Sequence, residues 1–222
     1  MSDLRLTSVR VHRMASLAVL VSMLAGCAAQ TAVMSDYRAP SSPPPFEIVD
    51  QRPAGEHTTR FMSLSITSCN YGVRQAGDEA TVPDRITLLR DDIHAALGPQ
   101  LANKKITLTH YTVVMNNARA LRNQTYAANA GLVAEFMKGF GSQCAREKME
   151  AGWFEPNDVT TPYSPFIVEI SLSVDGRAHQ IRSVYSPDQE LAPAFGKPET
   201  ATAMFAAIRK ATDALIVSLR SS

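Results

Sequence analysis

Four histidines are the side chains after residue 27 best suited to acid–base or metal chemistry. They are His57, His94, His110 and His179, and the local patterns place them on a loop, a helix and two separate strands. No two of them have the helical i, i+4 spacing at which paired histidines bind zinc. We therefore interpret each as a surface or packed histidine and predict neither a metal site nor a cofactor.

Hydroxyl and acidic side chains form no recognised catalytic motif either. Residues 68–72 (SCNYG) lack the form of a nucleophile elbow, and the glycine-containing loop after them matches no phosphate-binding pattern. Asp78, Glu79 and Asp84 crowd the start of a predicted helix, where negative charge is favourable. A divalent-cation site is the alternative interpretation of these three acids. We predict no catalytic residues and a protein that is not an enzyme.

The first 26 residues have the pattern of a secretory signal. Three arginines precede residue 14 against one acidic residue, and the apolar run Met14–Ala25 follows them. A basic start followed by a short apolar segment and small residues is typical of an exported protein. The apolar run is too short to cross a bilayer, which requires about 20 residues.

The end of this leader, Leu24-Ala25-Gly26-Cys27, resembles the lipobox of bacterial lipoproteins. The resemblance implies cleavage before Cys27, a diacylglyceryl group on its thiol and acylation of the new amino end. Ala28 follows the cysteine in place of the aspartate that favours inner-membrane retention, so the resemblance implies an outer-membrane anchor with the chain facing the periplasm. An ordinary signal peptide with a chance cysteine is the alternative.

Two cysteines remain if Cys27 carries lipid. Cys69 and Cys144 are an even pair in an oxidising compartment, which favours a disulfide between them. Two free buried thiols are the alternative. The chain has no Cys-x-x-Cys motif, so a redox enzyme is not indicated.

The length and net charge of the chain limit its domain organisation and its possible partners. The chain has 222 residues, 22 basic and 21 acidic side chains and a formal net charge of +1. This balance argues against a nucleic-acid partner, which would require many basic contacts to phosphate. We predict a signal peptide over 1–26, a lipidated cysteine with a proline-rich tether over 27–45, and one periplasmic domain over 46–222.

Hydrophobic periodicity predicts an α+β fold with the order β-β-α-β-α-β-β-α. The predicted strands cover 46–50, 61–67, 105–115, 166–174 and 177–185, the helices about 84–97, 124–138 and 199–220, and a loop covers 70–82. Asp175-Gly176 is a favoured two-residue hairpin turn. Long alternating strands favour a mostly antiparallel sheet with the helices packed on one face.

Asp50 and Arg52 directly follow the first predicted strand of the domain. An opening strand that ends in Asp-x-Arg resembles the YajG-like periplasmic lipoproteins, and this resemblance implies a small α+β domain without implying an activity. Physically, the two residues suit a turn clamp, in which an Asx-type bond forms and nearby carbonyls hold the guanidinium.

Segment 124–141 combines small residues with large apolar ones. Leu132, Phe136, Met137 and Phe140 are candidates for binding a partner, and a tightly packed core helix is the alternative. We expect a non-catalytic accessory or assembly subunit that binds an envelope protein through this segment or a sheet edge. A periplasmic binding protein for a small molecule, lipid or glycan is the alternative function.

Overall fold

The computed structural model describes residues 31–61, 73–116, 163–192 and 194–221. Within them the chain has an α+β fold, which confirms the predicted class. The strands are β1 (Ala32–Val33), β2 (Glu47–Asp50), β3 (Arg60–Phe61), β4 (Val73–Ala76), β5 (Thr81–Val82), β6 (Lys105–Asn116), β7 (Phe166–Val174) and β8 (Arg177–Tyr185). The α-helices are α1 (Arg85–Leu97) and α2 (Pro198–Arg220), and short 3-10 helices cover Ala54–Glu56 and Asp78–Ala80.

In the part of the chain that the structure describes, the main sheet has six strands and is built around β6. Along one edge, β6 pairs with β7 and β7 with β8, both antiparallel. Along its other edge, β6 pairs first with β2, in parallel, and then with β4, which is antiparallel and in turn pairs with β3. Between these two partners, residues 109–112 of β6 lack a strand on that edge within the described chain.

The hairpin of β7 and β8 has the predicted bounds. Asp175 and Gly176 have φ values of 50° and 87°, the positive angles that the favoured hairpin turn requires. The register runs without a break from Val174 opposite Arg177 to Phe166 opposite Tyr185. The local turn chemistry therefore fixes which side chains of β8 share a face with those of β7.

The helices cover one face of the sheet. The predicted apolar stripe of α2 is buried, with Met204, Ala211 and Leu215 at 0% exposure and Ile208 at 1%. It packs on β7 and β8 and contacts α1. At the start of α1, the carboxylate of Asp84 accepts hydrogen bonds from the N–H groups of Ile86 and Thr87, which makes it the helix cap.

A β-bulge interrupts the alternation of side chains along β6. The register shifts between Leu108 and His110, so Thr109 is the extra residue. Leu108 and Tyr111 both belong to the hydrophobic core that the helices cover. The bulge thereby turns His110 and Thr112 towards the opposite face of the sheet, because side chains alternate along a strand.

The prediction of a loop over 70–82 is wrong for residues 73–82, the part of this stretch that the structure describes. Val73–Ala76 forms β4, Thr81–Val82 forms β5, and a 3-10 turn separates them. Val73 and Ala76 are almost completely buried. A four-residue strand is too short to reveal itself by alternation, and the glycines on either side of it gave the pattern of a loop.

Residues 31–45, which the sequence assigned to the tether, lie against the domain. β1 pairs in parallel with β5, and Ala32 is completely buried. The hydroxyl of Tyr37 donates to Asp91 of α1 at 2.5 Å. Small and aromatic side chains within a polar, proline-rich stretch supply these contacts without any periodic pattern, so they were not predictable from hydropathy.

Several predictions lie outside the described residues. These are the helix over 124–138 with Leu132, Phe136, Met137 and Phe140, the cysteines Cys27, Cys69 and Cys144, and most of the strand predicted over 61–67. They remain predictions.

Candidate functional site

A cluster of charged side chains fills the gap on the edge of β6 between β2 and β4. The 3-10 turn Ala54–Glu56 brings Glu56 to this gap, where its Oε2 accepts a hydrogen bond from the Tyr111 N–H at 2.8 Å. Arg85 of α1 donates from Nη1 to the Tyr111 carbonyl at 2.7 Å. Side chains thus satisfy main-chain groups that a neighbouring strand would otherwise pair.

Asp50 and Arg52 lie at one end of this cluster. Asp50 Oδ1 accepts from the N–H of Arg52 at 3.1 Å, the Asx-type bond of the predicted turn clamp, and the guanidinium also binds both carboxylate oxygens of Asp50. Main-chain carbonyls were the expected partners of the guanidinium. Instead it contacts a second carboxylate, that of Asp78, at 3.0 and 3.1 Å. The hydrogen bond from Arg52 lowers the pKa of Asp50 below its ordinary value.

Asp78 connects the clamp to the core. Its carboxylate accepts from Arg52, from Nε of Arg85 at 2.9 Å, and lies 2.9 Å from His57 Nδ1. Partial burial opposes the ionisation of Asp78, but the hydrogen bonds from Arg52 and Arg85 outweigh it and hold its pKa below the usual range. Asp78 and Asp84 were both predicted to place favourable negative charge at the start of the helix. Asp84 is the helix cap, whereas Asp78 belongs to this ionic network.

Arg85 is the most deeply placed charge of the network. It is 0% exposed and is among the largest completely buried side chains of the described chain. Besides Asp78 and Tyr111, it donates to the carbonyl of Glu56, and its guanidinium lies 5.0 Å from the centroid of the Tyr111 ring. A buried cation is tolerated when its charge is paired and hydrogen-bonded, and here each of the three guanidinium nitrogens of Arg85 has a hydrogen-bond partner.

On the face opposite the helices, Glu56, His110 and Glu169 converge on a small pocket. His110 Nδ1 lies 2.5 Å from Glu56 Oε1, and Nε2 lies 3.4 Å from Glu169 Oε2. The pocket has a volume of about 190 Å³. Its other lining residues are Arg60, Gln75, Thr112, Val114 and Ile167.

Thr112, His110 and Glu56 are arranged as a nucleophile, a base and an acid are in a catalytic triad. The Thr112 hydroxyl lies 3.4 Å from His110 Nε2. However, Glu169 faces the same ring nitrogen, and its hydrogen bond together with the charge of Glu56 raises the pKa of His110, against the opposing effect of burial. Two carboxylates therefore favour the imidazolium, which has no lone pair with which to act as a base. The arrangement suits polar binding or stabilisation better than nucleophilic catalysis.

The raised pKa of His110 predicts a pH-dependent stability. A raised folded-state pKa stabilises the fold fully below the unfolded value of about 6.5, and this contribution is lost as the pH rises through the folded pKa. We expect the free energy of unfolding, measured with urea, to fall as the pH rises above about 6.5. The His110→Gln variant should remove this slope.

His179 also has a shifted pKa, and it affects the stability of the fold over a different pH range. Desolvation lowers the pKa of His179, so its effect on stability lies below about pH 6.5 and has the opposite sign. The two contributions are therefore separable. A slope above pH 6.5 that persists unchanged in His110→Gln would contradict the assignment.

The remaining predicted histidines are dispersed. His94 packs edge-on against Phe46 at 6.4 Å between ring centroids, and His179 Nδ1 lies 3.0 Å from the hydroxyl of Ser218 in α2. Sequence reasoning missed Glu56, Arg85 and Glu169 because their partners are distant in the chain. Only Glu169 had a local signal, as the one charged residue of the predicted strand over 166–174.

Among residues 31–61, 73–116, 163–192 and 194–221, no group of three or more His, Cys, Asp or Glu side chains is arranged to hold a metal ion. Neither α-helix of these segments combines the length and apolar character that crossing a bilayer requires.

Comparison of the chain with protein-family models, with curated proteins and with solved structures gave no match.

Proposed function

We propose that the chain is a lipid-anchored envelope protein whose periplasmic domain binds a protein partner without catalysing a reaction. The lipobox-like sequence Leu24-Ala25-Gly26-Cys27 supports the anchor. The observation that carries the binding role is the outer edge of β8. Among the described residues, β8 is the last strand of the sheet and pairs only with β7.

Alternate residues of β8 direct their main-chain groups away from β7. Lys210 of α2 donates from Nζ to the Val184 carbonyl at 2.7 Å, so this carbonyl faces away from β7. Alternate residues of an antiparallel strand direct their main-chain groups to the same side. Ala178 and Gln180 therefore direct their N–H and C=O groups away from β7, and an extended segment of another protein adding there as a further strand is the binding mode we propose.

The partner is a different protein rather than a second copy of this chain. β8 contains Arg177 and Arg182 and has no acidic residue. Edge-to-edge pairing of two copies would therefore place no carboxylate of β8 opposite these arginines and would gain no ion pair across the new ribbon.

The first test is cross-linking in cells that produce the full lipidated protein, followed by mass spectrometry of the proteins that co-purify. We expect one partner at near-stoichiometric yield. A photo-reactive side chain at Gln180, which is exposed, should cross-link to that partner. Cross-links confined to the chain itself or to lipid would overturn the proposal.

Replacing Gln180 with proline should weaken the complex. Proline removes an N–H that faces the edge, and proline is tolerated on edge strands because the ladder with the inner strand remains. Loss of this one main-chain hydrogen bond, worth about 1 kcal/mol, predicts roughly fivefold weaker binding. Retention of the partner on the immobilised protein measures the change.

The matched control is Gln180→Ala, which removes the same side chain but keeps the N–H. It should bind the partner as the parent chain does. Equal binding by Gln180→Pro and Gln180→Ala, with both variants folded, would show that the edge of β8 is not the binding surface.

The pocket of Glu56, His110 and Glu169 supports ligand binding as a second candidate function. Its convergent polar groups are what a binding site needs, but its volume of about 190 Å³ is smaller than the roughly 300–1,000 Å³ typical of ligand pockets. Only a small polar molecule fits, so we place protein binding first. This candidate becomes the preferred one if cross-linking finds no protein partner.

A further inference from the structure

Two exposed valines lie side by side on the parallel ribbon of β1 and β5. Val33 and Val82 are register partners and are 63% and 51% exposed. Partner side chains in neighbouring strands point to the same face, so the two isopropyl groups form one apolar patch. Ala32 and Thr81, on the opposite face, are buried at 0% and 3% exposure. The ribbon therefore faces the core with its small side chains and solvent with its larger ones.

The patch continues into an open groove between β1 and the first half of α2. The groove has a volume of about 570 Å³, and the residues lining it include Val33, Met34, Ala201 and Phe205. Its charged residues, Arg209 and Asp36, lie 3.5 Å apart as an ion pair. Their opposite charges offset each other, so they create little barrier to contact with lipid headgroups.

The patch lies close to the predicted site of lipidation. The hydroxyl of Thr31 donates to the Glu79 carbonyl at 3.2 Å, and β1 begins at the next residue. Four residue steps separate Cys27 from Thr31, so the two Cα atoms lie at most about 14 Å apart even if the chain is fully extended. A lipid on Cys27 therefore holds this side of the domain next to the bilayer.

We propose that the membrane-facing patch, Val33 and Val82 with the adjoining groove, rests on the phospholipid surface that holds Cys27. This inference depends on the proposed lipid anchor. It adds that the packed segment 31–45 fixes the orientation of the domain on the membrane. The edge of β8, which offers the protein-binding site, is then presented from a domain that does not rotate freely on a long tether.

Val217 provides a matched reference position. It is 62% exposed, and it is the third large hydrophobic residue exposed in the described part of the chain. It lies twelve residues beyond Phe205 on α2, or about 18 Å along the helix axis. A side chain there is similar in type and exposure but distant from the groove.

The test uses the full lipidated protein in phosphatidylethanolamine–phosphatidylglycerol vesicles. Tryptophan replaces valine in Val33→Trp and, separately, in Val217→Trp, and emission from the single native tryptophan is subtracted using the parent chain. Phospholipids brominated near the headgroup end of the acyl chains quench tryptophan on contact. Because interfacial side chains enter this region, we expect at least about a twofold fall in the added emission for Val33→Trp and little change for Val217→Trp.

Two further measurements separate the possible failures. Flotation with the vesicles and the mass of the amino-terminal peptide report the lipid anchor. Quenching that is equal at the two positions in a protein that floats and carries lipid would overturn the membrane-facing patch and leave the proposed anchor standing. A chain that carries no lipid would overturn both.

Discussion

Replacing Arg85 with methionine should lower the free energy of unfolding by about 3–5 kcal/mol, since removing one partner of a buried ion pair leaves the other without compensation. Asp78 would lose one of its two arginines. The carbonyls of Tyr111 and Glu56 would lose their donor in a buried setting. Methionine retains most of the apolar stem, so the effect reports the guanidinium rather than lost volume. Urea unfolding of the mature chain measures it.

Arg90→Met on the same helix is the control. The Arg90 side chain is 39% exposed and pairs with the neighbouring Asp91, so its loss should cost less than about 1 kcal/mol. Combining Arg85→Met with Asp78→Asn should give a clearly non-additive result, because the two side chains are in direct contact. An Arg85→Met variant as stable as Arg90→Met would show that the charged cluster does not stabilise the stretch of β6 that lacks a neighbouring strand.

Local chemistry made part of this fold predictable. The turn at Asp175-Gly176 and the stripe from Met204 to Leu215 each depend on residues a few positions apart, and both are present as expected. The short strands β1 and β4 were missed because two to four residues carry no readable period. Their formation depends on partners elsewhere in the chain, β5 for one and β6 for the other.

The candidate site was likewise predictable only where its residues lie close together in the chain. Asp50 and Arg52 are two residues apart, so their contact followed from turn chemistry. Glu56 lies 54 residues from His110, and His110 lies 59 from Glu169. Only the bulge at Thr109 and the two successive partners of β6 bring them together. A single sequence has no feature that reports such a juxtaposition.

Replacing Cys27 with alanine should remove the mature protein from the membrane fraction. One acyl chain holds a protein only reversibly, whereas two or more give stable anchoring. We therefore expect at least about a 100-fold fall in membrane-bound mature protein, measured after a high-salt wash. The amino-terminal peptide of the parent chain should carry the mass of a diacylglyceryl group, and the variant should lack it.

Ala28→Asp separates anchoring from sorting in a two-membrane cell. It leaves Cys27 available for lipid, so this variant should stay in the membrane fraction and keep the lipid mass, but it should shift from the outer to the inner membrane. A Cys27→Ala chain that matures and fractionates like the parent would refute the lipid anchor. It would also remove the premise of the membrane-facing patch, because Thr31 would then have no lipid within about 14 Å along the chain.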